Sequence, residues 1–270
     1  MRFLIIGLVC FYSNMVFAQG VFSNLGSGKA AGLNGINTTF DDIYATAGNQ
    51  SGIAKVDTFG AFAFAEQRFL LDELTGVTAG VVIPTKGGNF GVTLSYFGFQ
   101  TLSEQKIGLA YGRKLLKNLS IGGQMDFFNL QTGDFGSAST FTFEFGMQYD
   151  YSEKLTFGIH TLNPIRANLN EDEILASNLK IGLSYKFIEA ATLFAEFEKD
   201  LNFESSFRGG MTYLPTPSLE FRAAVRTNPT SFAFGAGYKM KSGFGLDLAA
   251  NYHQILGFTP SAGFIYQVSR

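Results

Sequence analysis

From about residue 58 onward, apolar and polar positions alternate along the chain. In STFTFEFGMQYDY, Ser139 to Tyr151, the residues Phe141, Phe143, Phe145, Met147 and Tyr149 take every second place. Thr140, Thr142, Glu144, Gly146, Gln148 and Asp150 lie between them. A period of two belongs to a strand, because successive side chains point to opposite faces. One face here is aromatic, and the other carries a carboxylate. Amphipathic segments of this kind recur at 58–66, 74–84, 88–98, 105–113, 118–130, 139–150, 155–164, 178–187, 191–199, 205–214, 217–227, 231–240, 243–253 and 259–268, fourteen in all.

Turn signals separate the segments: PTKGG at 84–88, QTGDFGS at 131–137, DYSEK at 150–154, TNPTS at 227–231 and KSG at 241–243. Gly, Pro, Asn and Asp in such clusters close hairpins. No stretch of helical period interrupts the array, so a βαβ fold is not expected. If the first strand runs outward, every second connection is external. The long gaps 131–138 and 165–177 then fall on one side, and the short turns on the other. That asymmetry and the even strand number fit a transmembrane barrel.

Composition agrees. Charged residues make up 16% of the 270 residues, with 32 Gly and 30 Phe. A soluble protein averages roughly 25% charged. A secreted sandwich or propeller is the competing reading, but it needs a polar outer face. An aromatic face repeated over so many strands would aggregate in water. In a bilayer, a sheet closed on itself pairs every backbone group, faces lipid with its aromatic side and keeps carboxylates such as Glu144 in the lumen. Nine tyrosines, Tyr96 and Tyr266 among them, fall near strand ends, where interface girdles lie.

The first twenty residues, MRFLIIGLVCFYSNMVFAQG, place Arg2 before an apolar run and Val16-Phe17-Ala18 before Gln19. This reads as an export signal over 1–18. Cys10, the sole cysteine, lies within it, so neither disulfides nor a thiolate metal site is expected. The net charge of -2 gives no electrostatic case for nucleic acid.

Residues 19–57 do not alternate. GSGKAAGLNGINTTFDDIYATAGNQSGIAKV is rich in Gly, Ala, Asn and Asp, and is too long for a tail. In a wide barrel it can fold inward as a plug. Gly28, Ala31, Gly32, Gly35, Asp41, Asp42, Asn49 and Gly52 carry a resemblance. Small residues with paired glycines, an acidic pair and an Asn-centred turn resemble the N-terminal hatch of FadL-like outer-membrane proteins, closest to the PorV/PorQ branch of Bacteroidota. Gln50 and Ser51 stand where that branch has Pro and Ala. The closing SAGFIYQVSR looks like the strand that barrel-assembly machinery recognises, though it ends in Arg270 rather than an aromatic. The resemblance implies a fourteen-stranded barrel over 58–270 with a hatch in its lumen. It also implies an outer-membrane location in a Gram-negative cell, with membrane lipid and possible secretion-system proteins as partners. Asp41, Asp42, Asn49 and Glu144 are the hatch and lumen candidates.

Catalytic signals are sparse. His160 and His253 are the only histidines, and neither has a His-x-x-x-His partner. GSGKAAG lacks the Gly-Lys-Ser/Thr of a phosphate loop. The carboxylates of NEDE, 170–173, read as a solvated loop rather than a calcium site. RKLLK, 113–117, reads as a solvated turn. No cofactor and no metal are expected. Three functions stay open: an interaction or secretion-associated component of PorV/PorQ type, a FadL-like channel for hydrophobic compounds, and, remotely, an outer-membrane hydrolase.

Overall fold

The computed structural model describes residues 26–133, 136–169 and 175–268. The expected export signal and NEDE lie outside the described residues. Fourteen antiparallel strands form one closed barrel. They are β1 (Gly60–Gln67), β2 (Thr75–Pro84), β3 (Asn89–Phe99), β4 (Leu102–Leu116), β5 (Leu119–Thr132), β6 (Ser137–Asp150), β7 (Leu155–Leu162), β8 (Asn178–Ile188), β9 (Ala191–Asp200), β10 (Ser206–Thr216), β11 (Leu219–Arg226), β12 (Ser231–Lys239), β13 (Phe244–His253) and β14 (Gly257–Gln267). Each pairs with its neighbours in sequence. The seam closes where β1 meets β14, Gly60 opposite Gln267 and Glu66 opposite Ser261. No edge is left for another chain to pair with.

Each strand matches one expected from the alternation. The largest shift in bounds is β4, expected over 105–113 and found over Leu102–Leu116. Its ladder continues beyond the apolar stripe, from Phe99 opposite Leu102 to Leu116 opposite Leu119. Backbone pairing there outlasts the side-chain signal. The barrel is consequently lopsided. β4, β5 and β6 run 15, 14 and 14 residues, whereas β1 and β11 run 8 each and β12 runs 9. We call these the tall and low sides.

The strand faces separate by chemistry. Phe141 and Phe145 are 56% and 53% exposed on the outside, and Glu144 between them is 4% exposed on the inside. Leu94, Leu109, Ile181, Phe207, Phe234, Leu248 and Phe264 continue the apolar exterior around the wall. Gln124, Asp126, Thr142, Glu196, Arg208 and Asp247 are buried within. A sheet that is greasy outside and polar inside inverts a soluble protein and suits a hydrocarbon solvent. No helix among the described residues is long and apolar enough to cross a membrane.

Residues 26–59 lie inside the wall. They comprise a short helix, α1 (Gly28–Gly32), and two 3-10 turns, Ile43–Ala47 and Gln50–Lys55. Each begins on a side-chain cap: Ser27 accepts from Ala30 N, Asp42 from Tyr44 N, and Asn49 from Ser51 N. Caps of this sort satisfy amides that a short turn leaves unpaired. Leu33, Ile36, Phe40, Ile43 and Ile53 are fully buried and belong to the larger apolar core among the described residues.

Candidate functional site: the lumen cavity and the inner segment

The inner segment meets the tall side through backbone. Gly112, Gly122 and Gly146 stand in register across β4, β5 and β6. A Cβ at Gly122 would come within 2.4 Å of the Gln50 carbonyl carbon, and one at Gly146 within 1.8 Å of Asn49 Oδ1. This close approach requires glycine at those positions. Asn49 Nδ2 donates to Thr38 O at 2.7 Å, Ile159 O at 3.1 Å and Met147 O at 3.3 Å. Its Oδ1 accepts from Ser51 N at 3.2 Å and Ser51 Oγ at 2.7 Å. Gln148 Nε2 donates to Thr38 O and Phe40 O at 3.1 and 2.8 Å.

Glu144 has a dense set of partners. It accepts from Gln50 Nε2 at 2.7 Å and from Gln124 Nε2 at 3.3 Å. It pairs with Lys106 at 2.9 Å and lies 2.9 Å from His160 Nε2. The carboxylate in the phenylalanine stripe is thus a lumen node that also holds the inner segment. Gln50 makes that link.

On the low side a cluster of paired charges in the wall holds the segment through hydrogen bonds. Arg222 Nη1 pairs with Asp247 at 2.5 Å, and Arg222 Nε pairs with Glu220 at 2.5 Å. Arg222 also reaches Gly28 O at 3.4 Å, and the Tyr44 hydroxyl donates to Asp247. Burial, then the Asp247 charge, pushes the Tyr44 hydroxyl well above the usual tyrosine range. Asp42 pairs with Lys29 at 2.6 Å within the segment. Burial would lower the Lys29 pKa, but Asp42, Glu220 and Asp41 together hold it above the ordinary lysine value. Asp41 is exposed at the short-turn mouth, where it and Asp42 line a recess of about 520 Å³.

A second cavity, of about 320 Å³, lies toward the loop end. Ala30, Ala31, Asn34 and Asn37 of the inner segment face it from one side, and Phe69, Pro229 and Leu256 line it at the loops. Its wall is rich in cations: Lys106, Lys180, Arg208 and Arg226. Register brings these residues together. Lys180 is opposite Glu198, Glu198 opposite Ser206, and Arg208 opposite Arg226. Arg208 spans Glu196, at 2.7 Å, and Glu198. Glu196 in turn accepts from the Asn37 and Thr38 amides at 3.0 Å each and from the Thr38 hydroxyl. Among the described residues no ion pair reaches Lys180 or Arg226, and Arg226 Nε is buried without a hydrogen-bond partner. Apolar groups adjoin this cluster. Phe64 and Leu162 line the cavity, and Phe97, Phe128 and Leu175 pack together near it, with Arg68 5.1 Å from the Phe97 ring and Lys106 5.8 Å from the Phe128 ring.

No group of His, Cys, Asp and Glu able to hold a metal occurs among the described residues. His160 Nδ1 is buried without a partner, so no third group orients it as a base. His253 Nδ1 accepts from the Ile255 and Leu256 amides at 3.2 and 3.1 Å and serves as a turn cap. Of the sequence candidates, Glu144 lines the loop-end cavity and Asn49 holds the inner segment to the wall. Lys180, Arg208, Arg222, Arg226 and Asp247 are not singled out by the sequence, because they are scattered along the chain and only strand register assembles them.

No protein-family model and no curated protein matches the chain. Solved structures do resemble it. The CymD monoaromatic hydrocarbon channel superposes with a TM-score of 0.68 at 13% identity, covering 91% of this chain and 98% of that one. The toluene transporter TbuX of Ralstonia pickettii gives 0.66 at 13% identity, over 92% and 99%. A FadL homologue of Pseudomonas aeruginosa gives 0.62 at 11% identity, over 90% and 97%. These likenesses establish a shared fold.

Proposed function

We propose that the protein is a FadL-like channel that passes hydrophobic compounds across the outer membrane. The observation that carries this reading is the loop-end cavity, walled by the barrel and faced by the inner segment on its inner side. A pore open throughout would pass any small solute. A cavity that stops at a packed segment selects its ligand before passage, and the segment acts as the hatch. The fold shared with hydrocarbon channels supports the same reading.

The lining narrows the ligand class. Lys180 and Arg226 line the cavity beside the Glu196–Arg208–Glu198 cluster and form no direct salt bridge, while Phe64, Leu162 and Phe69 offer apolar contact. Arg68, Lys106, Lys180, Arg208 and Arg226 line the cavity against the carboxylates Glu66 and Glu144, and that excess of positive charge favours an entering carboxylate. The ligand is therefore an apolar molecule bearing an anionic group. The membrane lipid is its surroundings, and barrel-assembly machinery inserts the chain. The PorV/PorQ-type secretion role is the second reading, and no feature of the cavity favours it. Uptake into proteoliposomes of an alkyl carboxylate and its neutral alcohol analogue tests the proposal. The carboxylate should enter faster, and Lys180→Gln with Arg226→Gln should abolish the preference. Equal entry of both compounds in the unsubstituted protein would sink the anionic assignment, and entry of neither would sink the channel.

A further inference from the structure

A third cavity, of about 390 Å³, lies at the loop side between the ends of β9 to β12. Glu198, Asp200, Glu204 and Ser206 line it from β9, β10 and the loop that joins them. Arg226, Asn228 and Pro229 line it from β11 and the turn that follows. Arg226 and Pro229 also line the loop-end cavity, so the two spaces adjoin. Their charges are opposite in sign. Cations outnumber carboxylates around the loop-end cavity, whereas here three carboxylates share the recess with one guanidinium.

The recess is held in shape by its own contacts. Ser206 stands opposite Glu198, and Asp200 opposite Asn178. Asn228 Nδ2 donates to Ser205 O at 2.9 Å, and Phe207 N donates to Thr227 Oγ1 at 3.0 Å, which ties the β9–β10 loop to the β11–β12 turn. Glu198 is neutralised, since it pairs with Arg208 and accepts from Asn178 Nδ2 at 3.2 Å. Asp200 is not. Its Oδ1 accepts from Asn202 N at 2.8 Å, but its Oδ2 has no hydrogen-bond partner, on a residue only 3% exposed. Ser206, 2% exposed, likewise has an Oγ without a partner. Lys199, the neighbouring cation, donates to Phe203 O at 2.8 Å. Among the described residues no ion pair reaches Asp200 or Glu204. A buried carboxylate oxygen without a donor is costly, and a charged N–H group that reaches it recovers that cost. No acidic cluster among the described residues is spaced to hold a metal, so the fit is to a cation that donates hydrogen bonds.

We propose that this recess is a subsite for an ammonium group, so that the ligand's head carries an amine next to its carboxylate. The proposal rests on the channel reading and narrows its ligand class. Because Arg226 borders both spaces, a carboxylate on one side of it and an ammonium on the other belong to neighbouring atoms of one head. An alkyl chain ending in an α-amino acid has that arrangement. Each charge of the head then meets the opposite charge of the wall. A plain carboxylate would leave Asp200 Oδ2 unpaired.

Displacement of pyrenedodecanoate from the full chain in dodecyl maltoside tests the subsite. The competitors are dodecanoate, 2-aminododecanoate and the N-acetyl derivative of the latter, which keeps the nitrogen without its charge. The amino acid should displace the probe at roughly tenfold lower concentration than either of the others. In the double variant Asp200→Asn with Glu204→Gln the ratio should fall to about one. Each variant's dodecanoate value is its own reference for folding and for partition into micelles. Glu204→Gln alone, at an exposed position, should lower the ratio in part, which keeps the test open if the double variant misfolds. Equal displacement by all three compounds in the unsubstituted protein, or a ratio that survives the substitutions, overturns the subsite and leaves the channel reading intact. Failure of pyrenedodecanoate to bind overturns the anionic-ligand reading and the subsite with it.

Discussion

The tall and low sides seat the same inner segment by different means. Along β4 to β6 the fit is steric: Gly112, Gly122 and Gly146 clear room for the backbone at Asn49 and Gln50, and amide side chains make the bonds. Along β11 to β13 the seat is a charged cluster of the wall itself: Arg222 and Asp247 pair with each other and hold Gly28 O and Tyr44 through hydrogen bonds, whereas a direct ion pair from segment to wall, Lys55 with Asp150, lies on the tall side. A steric seat has one position and tolerates no added volume. A charged seat depends on a few charges and can be exchanged for another partner.

The largest effect should come from the low side. Arg222→Ala strands Asp247 in the wall, and losing one partner of a buried pair costs about 3–5 kcal/mol. Thermal unfolding in detergent, followed by gel mobility, should show the drop, with trypsin now cutting after Lys29 in the folded protein. Next, Phe145→Lys puts a charge on the lipid face midway along β6, at about 2–4 kcal/mol. Its signature is poor membrane insertion with the lumen contacts intact. Gly122→Val tests the steric seat. Overpacking costs about 1–3 kcal/mol, and the 2.4 Å approach leaves the inner segment to give way rather than the wall. Single-channel recording should then report higher conductance in a barrel that still closes. If Gly122→Val leaves the segment protected while Arg222→Ala does not, both sides depend on charge and the contrast fails. The smallest effect compares the two rims. Ser139→Lys on the tall rim should cost about 0–1 kcal/mol, as near an interface. Leu256→Lys on the low rim should cost more, and equal costs would place the two rims at one depth.

The wall was legible in the sequence because lipid on one side and a polar lumen on the other impose a strict period of two. Glu144 stood out because a carboxylate within a phenylalanine stripe has few explanations. Asn49 stood out through its turn. Asp41 and Asp42 were visible as an acidic pair, yet they sit at the short-turn mouth, away from the loop-end cavity. The cation cluster was not legible. Lys180, Arg208 and Arg226 each occupy an ordinary inward position, and nothing local distinguishes them from other lumen residues. Their proximity is a property of strand register, set by ladders many residues away. The glycine row was hidden for the same reason among 32 glycines.

The seam between β1 and β14 also fixes one end of the inner segment. Residues 26–59 are continuous with β1 at Gly60, and β14 is the last strand in the chain. The strand that closes the cylinder is thus the one that leads directly out of the segment, which is tethered at its C-terminal end to the ladder that seals the wall.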